Sequence, residues 1–455
     1  MTLSSSFQTV RRRLARTAVA AITLSVALAF AAPRGAAAAN EVADWNVIGI
    51  DAAVAGGQNP IHVSRTIAMM HLAMHDALNA VDRRYEPYLY FGPIDRSADA
   101  GAAVAAAARD VLVAVIPDWG TPDQRAKALP MVEAAYVVAL ARLPEGPAKA
   151  AGIVVGQGAA ASMIAARKAD GSPVAIKYTP GTEPGLWRPH PNPSPANPPI
   201  ADPSLAAGNW PAILPQWAHV TPFTMATPWQ FRLPGPPALA SAEYARDYNE
   251  VKKVGGKSNT ERTAEQTEIA RFWYESSPQG WSRIAREVAA ERGVDPWGVA
   301  RLLALVNATI ADGYVAGADT RYHYNFWRPV TAIRAGETDG NDATAADPTW
   351  ESYLNTPPLP DYPSTHSVAG GAAAAVLAQF FGSDQVTVKM QCGPPFAGVT
   401  RSFNSFSQAA QENGDSRIYA GVHFRSAVQD GIKQGDQIGR RAFDLFLQTH
   451  KLAVR

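Results

Sequence analysis

Apolar positions along most of this chain recur at spacings of three and four, the signature of amphipathic helix. Between Ser64 and Val81 they fall at Ile67, Met70, Met74, Leu78 and Val81. Alanine-rich stretches at 98–116 and 147–168 add helix-forming composition, the second reaching a stop at Gly171. Further helices are expected at 124–142, 240–253, 260–275, 281–291, 296–318, 366–381 and 418–449. Alternation of strand type is scarce, so the expected fold class is all-α. The pattern fails between about 171 and 238, where Pro184, Pro189, Pro191, Pro193, Pro195, Pro198 and Pro199 exclude helix. Trp187, Trp210, Trp217 and Trp229 are interleaved there. So long an irregular segment points to a functional cover or a linker, and the tryptophans favour a packed cover. A second irregular stretch runs from Gly336 to Asp361.

The first 39 residues read as a separate object. Arg11, Arg12, Arg13 and Arg16 precede an apolar run from Thr17 to Ala32, and Ala36 to Ala39 are small residues of the kind a signal peptidase accepts. The run is shorter than the roughly 20 residues of a spanning helix. The expectation is a cleaved export signal over 1–39, a periplasmic or extracellular destination, and one large helical domain over 40–455. No later segment is expected to be long and apolar enough to cross a bilayer: Arg109 and Asp110 break the run from Ala102 to Ile116, and that from Ala369 to Phe381 is short. The formal net charge of +1 leaves no global cationic excess to attract nucleic acid. A single cysteine, Cys392, allows no intramolecular disulfide.

Candidate chemistry gathers in the C-terminal third. Three short motifs stand in order: Arg321-Tyr322-His323-Tyr324-Asn325-Phe326-Trp327-Arg328-Pro329, then Tyr362-Pro363-Ser364-Thr365-His366-Ser367, then Ser416-Arg417 followed by Gly421-Val422-His423-Phe424-Arg425. Guanidinium forks donate paired hydrogen bonds that match tetrahedral oxyanions. Three converging guanidiniums repel one another by about 4 kcal/mol per contact at ~4 Å and an effective dielectric of ~20, so a multiply charged anion makes such a cluster tolerable. Ser364 and the Thr365 N–H precede an apolar helical run and can donate to an anion at its N-terminus. His366 and His423 offer one ring nitrogen to bond a central atom and another to act as acid or base. Each residue alone has a plainer reading: a solvated arginine, a satisfied core histidine. Order and spacing together carry the signal.

That array resembles the tripartite signature of the type 2 phosphatidic acid phosphatase and vanadium haloperoxidase superfamily: Lys, six residues, Arg-Pro; Pro-Ser-Gly-His; Ser-Arg, five residues, His, three residues, Asp. Arg321 takes the lysine position, Arg328-Pro329 closes the first block, Pro363-Ser364-Thr365-His366 is the second, and Ser416-Arg417 with His423 is the third. Phe326-Trp327-Arg328-Pro329 and the run from Arg417 to Arg425 look more like haloperoxidases than membrane lipid phosphatases. The resemblance implies a helical-bundle core and vanadate as cofactor, with phosphate able to take the same site and no nucleotide cofactor. It further implies Arg321, Arg328, Ser364, Thr365 and Arg417 as oxyanion holders, His423 as axial vanadium ligand or phosphoryl-accepting nucleophile, and His366 as the acid–base group. The implied activity is vanadate-dependent oxidation of halide by hydrogen peroxide. The alternatives are an exported acid phosphatase acting on phosphomonoesters through a phosphohistidine, and an oxyanion-binding protein without turnover.

The chain departs from the signature in three places. Arg321 replaces lysine, substituting a wide, charge-spreading donor for a compact one. Thr365 replaces glycine. Ala427 stands four residues after His423, where the family carries an aspartate that orients the histidine; Asp430 is on a similar helix face but two turns away. Leu359, where related enzymes carry an aromatic residue or histidine, gives no halide preference. Elsewhere His71 and His75 share a helix face, and core packing suits them better than metal binding because no third ligand is near. Asp312 reads as a supporting carboxylate, a cap or a buried arginine partner.

Overall fold

The computed structural model describes residues 34–198, 210–258 and 260–450. Residues 1–33 of the expected export signal lie outside them. Helices dominate: α1 (Arg34–Ala55), α2 (Pro60–Val81), α3 (Ala100–Val115), α4 (Pro122–Ala141) and α5 (Pro147–Arg167) precede the irregular segment. After it come α6 (Ala242–Val254), α7 (Ala264–Phe272), α8 (Ser277–Glu291), α9 (Pro296–Tyr324), α10 (Pro329–Arg334), α11 (Thr365–Phe380), α12 (Phe406–Tyr419) and α13 (Arg425–Leu445). Among the described residues one antiparallel hairpin, β1 (Gln385–Gln391) with β2 (Thr400–Ser405), is the sole sheet. The fold class is all-α, as the periodicity implies.

Start signals account for the helix boundaries. Asn59, Asp99, Thr121, Ser241, Thr263 and Asp295 cap α2 to α4, α6, α7 and α9 with side-chain oxygens, and proline follows immediately at α2, α4 and α9. Helix α9 is the axis. Its residues from Pro296 to Arg321 are all buried, with α2 on one side and α11 on the other. Helices α3 and α5 pack behind α2; α12 and α13 pack behind α11. This arrangement corrects one expectation. By length and composition Ala100–Asp118, Pro147–Arg167 and Pro296–Tyr324 are each apolar enough to cross a membrane. In the fold they are helices packed against other helices, and the third is wholly enclosed by protein.

A glycine-lined approach sets how close two of these helices come. Gly431, Gly435 and Gly439 put one face of α13 against α11, so close that a Cβ at Gly435 would lie 2.0 Å from the Val368 carbonyl oxygen and one at Gly439 2.4 Å from that of Ala372. The start of α11 is thereby held against the start of α13, and the Ser364 N–H donates to the Ala427 carbonyl at 2.9 Å.

The helix expected over 418–449 is in fact two. Helix α12 ends at Tyr419, Gly421 adopts φ +79°, and α13 begins at Arg425. A side chain at Gly421 would meet the Gly255 carbonyl oxygen at 2.2 Å, so the backbone turns there against a neighbouring loop. His423 sits in this break rather than inside a helix.

The proline- and tryptophan-rich segment is a packed cover over its described residues. Trp187 and Trp217 are fully enclosed, while Trp229 is largely exposed. The Trp187 N–H donates to the Asn325 carbonyl and the Trp327 N–H to that of Gly185, at 2.8 and 2.9 Å, zipping the cover onto the first motif. Asp312, deep in α9, accepts from the N–H groups of Phe223 and Thr224 and from the Thr224 hydroxyl, each at 2.6 Å. It clamps the cover through these donors, with the Arg167 charge near enough to favour its ionised form. His71 lies 2.7 Å from Asn46 Nδ2, and His75 lies 3.1 Å from the Glu86 carbonyl, both in the core.

Candidate functional site

Each motif enters the site from the end of an element. Arg321 occupies the last turn of α9, which stops at Asn325 in the left-handed region (φ +54°). The chain then runs extended through Phe326 and Trp327 to Arg328, which stands immediately before α10 with its side chain free of any capping bond. Ser364 caps α11, accepting from the Ser367 N–H at 3.3 Å, so its own hydroxyl proton is free to point outward. The N–H groups of Thr365 and His366 belong to the first turn, where no helical acceptor exists. Arg417 lies in the last turn of α12 and His423 in the break beyond it.

The fold brings these residues together. Arg328 Nε donates to the Leu359 carbonyl at 2.7 Å; Nη1 donates to the Val422 carbonyl at 2.8 Å and lies 2.9 Å from His423 Nε2. Arg321 Nε donates to the Pro363 carbonyl at 2.7 Å, and its Nη2 lies 3.4 Å from the same Nε2. Arg417 faces the ring of Tyr274 at 5.7 Å. Arg321, Arg328, Ser364, Thr365, Arg417 and His423 are all buried, whereas His366 is half-buried. The cage is closed and His366 stands on its accessible side, with Nε2 3.3 Å from the Glu275 carbonyl oxygen. Arg425, adjacent in sequence, is engaged elsewhere, with Glu250 and Asp415.

Electrostatics follow from enclosing three cations. Burial pulls Arg321 and Arg417 down to about 10, and burial followed by repulsion from Arg321 and Arg417 puts Arg328 well below its usual value. Burial and then the guanidinium charges hold His423 and His366 well below the ordinary histidine range, so both rings are neutral at neutral pH. Arg328 Nη2 and Arg417 Nε and Nη1 are buried with no hydrogen-bond partner among the described residues. Buried guanidinium donors left unmatched are costly, and a tetrahedral oxyanion supplies both the charge and the acceptors they lack. The donor set fits vanadate or phosphate.

One participant has no place in the signature. Asp361, fully buried, sets Oδ1 2.9 Å from His423 Nδ1 and 3.6 Å from Arg328 Nη1. The contact with the neutral ring is close and polar but lies off the hydrogen-bonding direction, since neither carboxylate oxygen makes a directed hydrogen bond. Burial pushes the Asp361 carboxyl up to about 7 against the pull of Arg328 and Arg321. His190 of the cover, buried with Nε2 unpartnered, is held down to about 4 by burial and then by the Arg328 charge. Asp430, two turns along α13, accepts from the Tyr362 hydroxyl at 2.7 Å instead of touching His423.

The chain is similar in sequence and fold to known proteins. A family model described as the VCPO second helical-bundle domain matches residues 301–451, the stretch that holds every motif. The chain is 26% identical over 269 residues to the vanadium chloroperoxidase of Curvularia inaequalis; the match takes in 44% of each protein, so it spans under half of that relative's length. Among solved structures, a bacterial vanadium-dependent iodoperoxidase superposes with a TM-score of 0.74 at 25% identity, covering 91% of this chain and 98% of that one. A bacterial vanadium-dependent chloroperoxidase in its holo form shares the fold, with a TM-score of 0.65 at 19% identity over 85% of this chain and 92% of that one.

Proposed function

Because this chain belongs to the vanadium haloperoxidase-like branch of the type 2 phosphatidic acid phosphatase and haloperoxidase superfamily, we propose that it binds vanadate and oxidises halide with hydrogen peroxide. The observation that carries the proposal is the set of unpartnered, buried guanidinium donors on Arg328 and Arg417 around His423. Arg321, Arg328, Arg417, Ser364 and the Thr365 N–H would hold the oxyanion's oxygens, and His423 Nε2 its central atom. When bound, vanadate supplies a Lewis-acid centre at which peroxide becomes reactive toward halide. The residues supply the rest. The guanidiniums offset anionic charge inside a closed, water-poor cage, where such interactions are stronger than in water. His366, on the accessible side, is where a proton enters or leaves: with its Nε2–H toward the Glu275 carbonyl, its Nδ1 is bare and can accept one. Anionic charge beside it opposes the guanidinium effect and brings His366 back toward the range where acid–base exchange is efficient.

A second reading has its own support. A carboxylate at His423 Nδ1 is what a histidine nucleophile needs, so Asp361 favours phosphomonoester hydrolysis through a phosphohistidine more than the sequence does. Export to the periplasm or medium also forms part of the proposal, and mass spectrometry of secreted protein should find a mature terminus near Asn40.

Calorimetric titration with vanadate, beside halide oxidation with vanadate and phosphomonoester hydrolysis without it, tests the scheme. His423→Ala should lose turnover and most vanadate affinity. His366→Ala should keep much of the affinity and lose turnover by roughly 10²–10⁴-fold. Wild-type affinity in His423→Ala would remove the ligand assignment, and hydrolysis without halide oxidation would replace the leading reading by the second.

A further inference from the structure

Four residues after His423 the chain carries Ala427, whose side chain is buried in an apolar cluster with Val428, Phe424 and Ile418. Helix α13 therefore offers His423 no carboxylate, and Asp430 is occupied with Tyr362 and Lys433. The acid at the ring comes from another element. Asp361 belongs to the loop before α11, and its own N–H donates to the Phe326 carbonyl at 2.8 Å, which ties it to the strand-like stretch leading into Arg328.

The neighbours of His423 bias which nitrogen carries the proton. Arg328 Nη1 lies 2.9 Å from Nε2 and 3.4 Å from Nδ1, and Arg321 Nη2 lies 3.4 Å from Nε2. A guanidinium only donates, and both guanidiniums come nearest to Nε2, which favours Nε2 as the bare, accepting nitrogen and leaves Asp361 to decide the balance at Nδ1. In a neutral ring the single proton is then on Nδ1, 2.9 Å from Asp361 Oδ1. The contact is close but not in line, and such bonds commonly tighten when the site is engaged.

We propose that Asp361 is the positioning residue of His423, accepting the Nδ1–H from the α11 side and holding a bare Nε2 toward the oxyanion centre. It takes over from the loop the task that Ala427 cannot perform from the helix. The inference rests on the proposed oxyanion site only in naming what Nε2 faces. A plainer role, neutralising Arg328, makes the opposite forecast, because deleting a negative charge from a cationic cage should tighten every anion.

The test uses full-length protein labelled with ¹⁵N-histidine. His423 resonances are assigned by their loss in His423→Gln. Wild-type His423 should be protonated at Nδ1, and Asp361→Asn should shift the ring to the Nε2-protonated or a mixed form. Titration with vanadate, which can bond a ring nitrogen, should weaken 10–100-fold in Asp361→Asn, the usual range for an outer partner of a ligating histidine. Titration with inorganic phosphate, held by the cage alone, should weaken less or tighten. Wild-type His423 protonated at Nε2 overturns the proposal with no variant needed. Vanadate binding as tight as wild type, or tighter, in Asp361→Asn overturns it equally and favours the charge-neutralising role. If the wild type binds neither anion, the oxyanion reading fails, while the tautomer result still decides the role of Asp361.

Discussion

Thr365 stands where the superfamily signature has glycine, and the structure shows what makes room for it. Thr365 is the first residue of α11 and faces Gly317 of α9; a Cβ built on Gly317 would lie 2.5 Å from Thr365 Cγ2. Comfortable carbon–carbon separation is ~3.5–4.0 Å, so the pair is an exchange of bulk: a glycine on the long helix offsets a side chain at the oxyanion loop. Gly317→Ala should force Thr365 off its rotamer or part the two helices, a cost of ~1–3 kcal/mol set against a helix-propensity gain of ~1 kcal/mol. Thr365→Ser removes only the methyl group and should cost ~1 kcal/mol. Together they transfer one methyl across the contact, and the double variant should recover the overpacking loss. Urea denaturation of the four proteins should therefore give a coupling energy of ~1–3 kcal/mol. Because the Thr365 N–H lines the proposed cage, vanadate affinity should fall in Gly317→Ala and return in the double variant. Additivity within ~0.5 kcal/mol would show that the two helices adjust freely and that the glycine is not what admits the threonine.

Asp312→Ala leaves three buried donors of the cover without an acceptor, and should destabilise by ~3–5 kcal/mol in chemical denaturation; a loss under ~1 kcal/mol would mean that the cover is held by its tryptophans. Burial lowers His62 and His75 to about 4 and His71 to about 3, so these rings stay neutral in the folded chain while the unfolded chain takes up protons below about 6.5. Stability should thus fall as pH drops from 7 to 5, by on the order of 2 kcal/mol per ring, partly offset by Asp76, which burial raises to about 6; a melting temperature flat over that interval would contradict these assignments. Arg321→Lys should raise halide oxidation at saturating vanadate with affinity little changed, while costing ~1–3 kcal/mol because one ammonium cannot keep the Pro363 carbonyl satisfied and also face His423. Turnover that stays level would show that the guanidinium is no handicap.

Most of the long helices were legible, but α1, which buries Val42, Trp45, Ile50, Ala52 and Ala53 beside the expected signal, was missed, as was α12. The expected helices over 64–81, 98–116, 124–142 and 147–168 meet observed elements within a few residues. Helix α12, Phe-Ser-Gln-Ala-Ala-Gln-Glu-Asn-Gly-Asp-Ser-Arg-Ile-Tyr, carries little stripe to find, and its junction with α13 is made by a tertiary contact of Gly421 with Gly255. Hydropathy misleads in the other direction at α9. A fully buried helix and a spanning helix have the same composition, and only its neighbours tell them apart.

At the site, the spacing of the three motifs was enough to gather Arg321, Arg328, Ser364, His366, Arg417 and His423 around one centre. Asp361 was not, because its relation to His423 is not a relation along the chain. The family signature puts the orienting carboxylate four residues after the histidine, where this chain has Ala427. In the fold the Ser364 N–H meets the Ala427 carbonyl, and the glycine face of α13 lies against α11, so the loop before one helix and the break before the other are neighbours. Either side can then supply the acid. Supplying it from the loop has a consequence that the helix position does not share: Asp361 lies near Arg328 as well as His423, so one carboxylate meets both a cage cation and the ring facing it. A change at 361 should therefore alter anion charge balance and ring tautomer together, and comparing vanadate with phosphate is what separates the two effects.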